Sequence, residues 1–456
     1  MLFRSGIMED FFKLKEHGTN VKTEVVAGIT TFLSMVYILA VNPSILSATG
    51  MDPRAIFTAT CVASAAGTLM MAFLANYPIA LSSGMGLNAY FAFEVCSRLA
   101  QQGIQDPYRV ALAAVFVEGI IFIILSFFKF RETLVNEVPK NLKLGITVGI
   151  GLFITLVGFK GAGIVAANKD TLVSLGSVKS PQLVLAFVGL LFIAVLHHYK
   201  IKGSILWGIL LTWGLGIIAE KAGWYVVDVQ NQVFSLIPDF KHGLVPAAPH
   251  VAAFDFSFIA NNFISFMVVV FSFLFVDLFD TVGTVIGVAH KGNLLDKDGK
   301  LPKVGRVLLA DALGTCFGAV MGTSTVTSYV ESSAGVAQGG RTGLTSVVTA
   351  VLFIASLVLS PIFVAIPAFA VAPALIFVGL LMMGAVTHMD LSDDAAGMVS
   401  GFLAIVMMPF TYSIANGIMF GLLAFIIIRV FQKKAREIHP VMWVSGAANA
   451  DRKSVV

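Results

Sequence analysis

Charge is what this chain has least of. Only 12% of its 456 residues are Asp, Glu, Lys or Arg, against roughly 25% in a soluble domain. A surface wetted on every side is thereby excluded. Cysteine is nearly absent too. Cys61, Cys96 and Cys316 lie in or near apolar runs and form no C-x-x-C pair, so they read as small core residues rather than a disulfide or metal framework. Histidine offers no catalytic cluster: His197 and His198 stand just before Lys200 at an expected helix end, and His388 stands near Asp390. "GKLPKVGR" is not a phosphate-binding loop, and neither G-x-S-x-G nor H-E-x-x-H occurs. A net charge of +4 is too small to point to nucleic acid.

What the chain does have is apolar length. Residues 25–46, 56–74, 110–128, 183–196, 204–219 and 258–276 are clear examples, and a bilayer core of ~30 Å needs roughly 20 apolar residues per helix. The expected fold is an all-α polytopic membrane protein of about fourteen segments. Their cores are 25–46, 55–75, 78–97, 109–128, 139–159, 181–197, 203–220, 257–289, 304–322, 323–340, 343–365, 369–387, 393–410 and 412–431. The third and tenth are rich in Ser, Thr and Gly. No cleavable signal peptide is expected, because "MLFRSGIMEDFFKLKEHGTNVKTE" is charged and polar with no apolar core of its own.

Basic residues test the count. With the N-terminus in the cytoplasm and the segments alternating, the inner side receives Arg4, Lys13, Lys15, Lys22, Lys129, Arg131, Lys140, Lys143, Lys200 and Lys202. It also receives Lys291, Lys297, Lys300, Lys303, Arg306, Arg341, Arg429, Lys433, Lys434, Arg436, Arg452 and Lys453. These are 22 of the 30 basic residues. The positive-inside rule then places both termini in the cytoplasm.

Two halves echo each other. "EVPKNLKLG" (137–145) and "VAPALIFVG" (371–379) share a Pro followed six residues later by Gly, at an offset of 234. "PIALSSGMGLNAY" (78–90) and "GTSTVTSYVESSAG" (322–335) are the two Ser/Gly-rich segments, about half a chain apart. Seven segments per half is an odd number, so the halves face opposite ways, the inverted-repeat pattern of secondary transporters. Small residues also serve plain helix packing. Their recurrence at corresponding places favours a functional break.

An acid at bilayer depth costs roughly 2.5–3.5 kcal/mol on insertion scales. The candidates are Glu94, Glu118, Asp277, Asp280, Asp311 and Glu331. Glu331 follows "TSTVTSYV", a strand-like alternation, and precedes "ESSAGVAQGG", which can start a short helix. Non-helical backbone at that depth must line a cavity or be buried in protein. Its freed N–H groups and the half-helix end suit a polar ligand. The plainer reading is a carboxylate capping its own helix. Asp277 and Asp280, three apart in "FVDLFDTVGT", share a helix face with no Lys or Arg within a turn. Two such close carboxylates do not both ionise readily, so one can carry a proton; a structural hydrogen bond is the alternative, more so for Asp277. "SSGMGLNAY" adds Asn88, both donor and acceptor, with Gly86 and Gly84 ahead of it allowing close approach. Asn42, before Pro43, is expected to mark the end of the first segment, with a role in the site as the weaker alternative. Glu94, Glu118 and Asp311 read as interhelical bonds. With no nucleotide-binding domain in view, movement of a solute would draw on an ion gradient or on the solute's own.

"FVDLFDTVGT", "GTSTVTSYVESSAGV", "YPIALSSGMGLNAYFAF" and "GITTFLSMVYILAVNPSIL" resemble the AzgA-like purine permeases, a branch of the nucleobase–cation symporter-2 family, over about residues 10–440. The resemblance implies a seven-plus-seven inverted repeat with a core domain (segments 1–4 and 8–11), a gate domain (5–7 and 12–14) and short antiparallel strands in segments 3 and 10. In this chain that means a cytoplasmic N-terminus (1–24), core halves 25–130 and 257–367, gate halves 131–256 and 368–432, and a cytoplasmic tail (433–456). The implied substrate-binding residues are Asp280, Glu331, Asn88 and Gly86, with Tyr329 and Val330 presenting backbone groups. Asp280, Glu331 and Asp277 are the implied proton-coupling acids. The expected function is proton-coupled purine uptake at the cell membrane, guanine and hypoxanthine favoured, with no cofactor beyond the coupling proton. An adenine preference and an anion transporter of related architecture are the alternatives. A membrane enzyme or scaffold would need a catalytic constellation or a large soluble domain. Expected partners are the base and the lipid bilayer, with a homodimer left open and no nucleic acid.

Overall fold

The computed structural model describes residues 9–127, 138–228, 233–241, 243–296, 301–390, 392, 394–438 and 442–443. The expected inner-side positions of Arg4, Lys129, Arg131, Lys297, Lys300, Arg452 and Lys453, and most of the tail 433–456, lie outside the described residues.

The first segment is two helices, α1 (Val21–Met35) and α2 (Ile38–Leu46), joined at Val36–Tyr37. Asn20 starts α1 by accepting the Thr23 N–H at 3.0 Å, a side-chain cap of the usual kind. Helix α3 (Pro53–Met70) opens on Asp52 as cap and Pro53 as first residue, where a missing N–H costs nothing. It runs on through a π-helical turn, Met71–Ala75. The third segment does break: a strand, β1 (Leu81–Ser83), then α4 (Met85–Ala89), a π-helical stretch Tyr90–Cys96 and α5 (Ser97–Gln101).

There follow α6 (Pro107–Ser126), α7 (Lys140–Gly161), a hairpin of β2 (Val165–Asn168) and β3 (Leu172–Leu175), α8 (Pro181–His198) and α9 (Ser204–Lys221). Helix α10 (Ser257–Lys291) bends at Asn262, which leaves helical φ/ψ. Helix α11 (Val304–Met321) leads into the second break, β4 (Val326–Ser328) and α12 (Ser332–Ala337). The last helices are α13 (Gly343–Ala355), α14 (Ser360–Val364), α15 (Ala368–Met383), α16 (Ala395–Phe410) and α17 (Ile414–Phe431).

Among the described residues, eleven helical stretches are long and apolar enough to cross a membrane. Three expected segments are not among them. The segment expected at 393–410 holds an apolar helix, Ala395–Phe410, of only 16 residues, and the two Ser/Gly-rich segments are interrupted by strands. Packing follows two sets of neighbours. Helices α6 and α3 both pack on α11, α1 and α3 on α13, and α6 on α10. Helix α7 packs on α15 and α16, α16 on α17, and α8 on α9 and α15.

Two readings change. Asn42 does not end the first segment, because the helix runs through it and Pro43 to Leu46. A proline inside a helix removes one bond and bends the chain, and buried neighbours on all sides hold α2 together here. The Pro–Gly echo is also not a positional match: Pro139 precedes α7, whereas Pro373 lies inside α15.

Candidate functional site

The two broken segments meet in one antiparallel ribbon. Leu81 pairs with Ser328, Ser82 with Thr327 and Ser83 with Val326. Gly84 N–H to Thr325 O (3.1 Å) and Tyr329 N–H to Ala80 O (2.9 Å) extend it. Both strands are fully buried. Two three-residue strands leave two open edges, and away from water each unpaired backbone group costs several kcal/mol. Side chains close those edges. Thr68 Oγ1 accepts from Leu81 N (2.9 Å) and donates to Leu81 O (3.1 Å). Thr315 Oγ1 donates to Val326 O at 2.8 Å. Asp311 Oδ1 accepts both the N–H (2.9 Å) and the hydroxyl (2.8 Å) of Ser328.

The helices can press this closely because each Thr follows a Gly. A Cβ on Gly67 would stand 3.2 Å from Val326 Cγ1, and one on Gly314 would stand 3.3 Å from Leu81 Cδ2. "AAGTLM" (65–70) and "ALGTCF" (312–317) are therefore equivalent, one under each strand. Sequence reading missed this pair. The recurring Gly-Thr one helix before each Ser/Gly-rich stretch was its signal.

The acids at depth fall into two groups. Glu24, Glu94, Glu118, Asp277 and Asp311 are buried, whereas Asp280 and Glu331 keep part of their surface open. Several of the buried ones have clear structural partners. Thr281 Oγ1 donates to Asp311 Oδ2 (2.8 Å), lies 3.2 Å from Asp277 Oδ1 and meets Thr327 Oγ1 at 2.8 Å. Ser413 Oγ donates to Glu94 Oε1 at 2.6 Å, and Arg98 reaches the same oxygen at 3.4 Å. Glu24, which sequence reading passed over, takes backbone N–H groups at the start of α13.

Glu331 stands just before α12 but does not cap it with its side chain. Its Oε1 accepts instead from the hydroxyl of Tyr37, at the joint of α1 and α2. Val330 beside it is 53% exposed, while Tyr329 on the other side is 4% exposed, so the chain opens outward at this turn. Asp280, on α10, lies within electrostatic reach of Glu331 and Asp311, and Tyr329 within reach of both Asp280 and Glu331. Among the described residues no Lys or Arg pairs with Asp280 or Glu331. No group of three His, Cys, Asp or Glu there could hold a metal ion.

The fold thus brings Asp280, Glu331, Tyr329 and Val330 together at one end of β4. Asn88 sits at the other, its Oδ1 accepting from Ser324 Oγ, with its Nδ2 buried and unpartnered among the described residues. Asn42 joins that end: its Nδ2 donates to Thr60 Oγ1 (2.7 Å) and Thr323 Oγ1 (2.9 Å). Gly86 faces α7, where a Cβ would stand 2.6 Å from Ile150 Cγ2. A cavity of about 290 Å³ lies farther along the same boundary, with Ser44 and Phe93 on one side and Lys160, Leu375 and Tyr412 on the other. None of the candidate site residues lines it.

Eleven helices of spanning length among the described residues make this a multi-pass membrane protein, and the family match makes it a transporter rather than an enzyme. A family model described as the permease family matches residues 22–421. The chain belongs to that family, in the AzgA-like branch of the nucleobase–cation symporter-2 proteins that its motifs implied. It is 46% identical over 436 residues to the guanine/hypoxanthine permease PbuO of Bacillus subtilis, covering 95% of this chain and 97% of that one. It is 40% identical over 437 residues to the adenine permease AdeP of Escherichia coli, covering 95% and 93%. Its fold is similar to the transmembrane domain of a cyanobacterium bicarbonate transporter, BicA, with a TM-score of 0.64 at 14% identity, over 88% of this chain and 97% of that domain.

Proposed function

We propose that the chain is a proton-coupled importer of purine bases. The observation that carries this reading is that Asp280 and Glu331 alone, among the seven acids at depth described above, keep an open face. A carboxylate sealed by donors is scaffold. One that keeps acceptor capacity toward open space can take the N–H groups of a base. Guanine offers adjacent N1–H and amino donors, which one carboxylate can receive side by side. A site built from such bonds rejects analogues that leave a buried group unpaired, often by large factors. Asn88, with a spare N–H, and the backbone N–H of Val330 are suited to the acceptors of the ring, while Tyr329, its N–H held by Ala80 O, fixes the turn that presents Val330. The second carboxylate, with Asp277 beside it, carries the proton, and no further cofactor is required.

Alternating access follows if the segment set holding the ribbon slides against the set built on α7, α15 and α16. The packing described above supports that division into core and gate. The similarity to PbuO supports guanine and hypoxanthine as cargo. The similarity to AdeP supports a second reading, an adenine preference. Two open acids with no basic partner among the described residues speak against an anion as cargo. The membrane in this reading is the cell membrane, with both termini in the cytoplasm.

Uptake of labelled guanine, hypoxanthine and adenine by cells lacking their own purine uptake tests the proposal. Saturable uptake that collapses with the proton gradient is expected. No uptake of any base would overturn the substrate class. Uptake undiminished by a protonophore would overturn the coupling, and competition among the three bases decides between the two readings.

A further inference from the structure

We infer that Tyr37 is the positioning residue of Glu331 and, through it, sets which purine edge the site accepts; this rests on the reading just given. Tyr37 is wholly buried at the joint between α1 and α2. Its one O–H is committed to Glu331 Oε1, 294 residues away. Five residues along the same segment, Asn42 donates to Thr323 at the far end of β4. The first segment therefore holds the tenth at both ends of its break, by Asn42 at Thr323 and by Tyr37 at Glu331.

This has a chemical consequence. A carboxylate on a flexible stem can turn either oxygen to a ligand. With Oε1 held by a phenol, the plane of the group is fixed and Oε2 is the less committed acceptor. A phenol has one hydrogen to donate, and that of Tyr37 is spent on Oε1, so Tyr37 has no donor left for a ligand. Its ring is packed, so its effect on the ligand passes through Glu331. Loss of the hydroxyl frees the carboxylate to rotate. A base with two adjacent N–H donors, such as guanine, can then turn it into register. A base with a single N–H on that edge, such as hypoxanthine, cannot.

Tyr37→Phe keeps the ring and removes the donor. The expected result is a KM raised about tenfold for hypoxanthine, the size of effect a lost hydrogen bond to a charged group gives, and raised less for guanine. The hypoxanthine-to-guanine KM ratio then moves by about fivefold, with the maximal rate per transporter within twofold of wild type. A purely structural tyrosine would lower the amount of transporter and leave that ratio unmoved. An unmoved ratio with wild-type KM values overturns the inference. If Tyr37→Phe does not reach the membrane, 4-fluorophenylalanine at position 37 replaces it. That group keeps the ring and fills the place of the hydroxyl with an atom that cannot donate, and an unmoved KM ratio with wild-type KM values again overturns the inference.

If wild type imports no purine, the function proposal fails on its own. Tyr37 is then read from the thermal stability of the purified Tyr37→Phe, Glu331→Gln and double variants. Non-additive losses sustain the positioning role, and additive losses overturn it.

Discussion

Thr68 and Thr315 hold the two strands of one ribbon, each giving its hydroxyl to the carbonyl of the strand that follows it, at Leu81 and Val326. The two bonds are equivalent, one for each strand, and both threonines follow a glycine. Thr68→Val or Thr315→Val keeps the shape and strands a buried carbonyl. Each is expected to cost about 1–3 kcal/mol, seen as a lower melting temperature of the detergent-purified protein. Serine at either position should recover most of it. An unchanged melting temperature would show that the edges are closed some other way.

Glu331→Gln and Asp280→Asn should each cut uptake at least about tenfold while leaving the amount of transporter in the membrane near wild type. Asp311→Asn should behave differently. It weakens the acceptor that holds Ser328 and Thr281, so it lowers folded yield before it lowers the rate per molecule. Immunoblotting beside initial-rate uptake separates the two patterns. Full activity in Glu331→Gln would remove that carboxylate from the site.

Glu94, on the third segment, and Ser413, at the start of α17, are joined at 2.6 Å across the boundary that the proposed motion would open. Ser413→Ala deletes this donor to Glu94 Oε1, together with the cap that Ser413 Oγ gives Asn416 N at 3.1 Å, while Arg98 stays at 3.4 Å from the carboxylate. The state with this side closed should lose about 1 kcal/mol, which moves a balanced two-state equilibrium roughly fivefold. A cysteine at position 44, on the wall of the nearby cavity, reports this in a background without Cys61, Cys96 and Cys316. Its labelling by an impermeant thiol reagent should quicken by about that factor. Unchanged labelling would mean the bond does not hold the boundary shut.

Glu24 is buried and accepts from Arg341 N (2.9 Å), Thr342 Oγ1 (2.8 Å) and Thr345 Oγ1 (2.7 Å). A negative charge at the first turn of α13 also suits the helix dipole. Glu24→Ala leaves several buried donors unpaired at once and should cost at least about 3 kcal/mol, enough to lower the folded amount in the membrane sharply. Wild-type levels and melting temperature would show that water replaces the carboxylate there.

Much of the architecture was legible because its causes are local. An apolar run of spanning length declares a helix wherever it falls. A run such as "TSTVTSYV" declares a break, since β-branched and small residues in alternation suit an extended chain. Glu331, Asp280 and Asn88 were visible because a polar group at depth needs a reason. Asn42 misled, because a residue before proline favours a helix end in isolation, while contacts to Thr60 and Thr323 held the helix through it. Glu24 was missed because its position at the edge of an apolar run reads as ordinary interface, and its donors lie more than three hundred residues away.

The sequence by itself determined that this is a membrane protein with two interrupted segments and acids beside them. Hydrophobic length and the cost of a buried charge act on a few neighbouring residues at a time. Only the tertiary structure decided which acids are sealed and which stay open. It also decided that Tyr37 meets Glu331 and that Thr68 and Thr315 close one ribbon. Those outcomes depend on donors brought from distant parts of the chain, and a side chain's own neighbourhood carries no mark of the partner that folding will set against it.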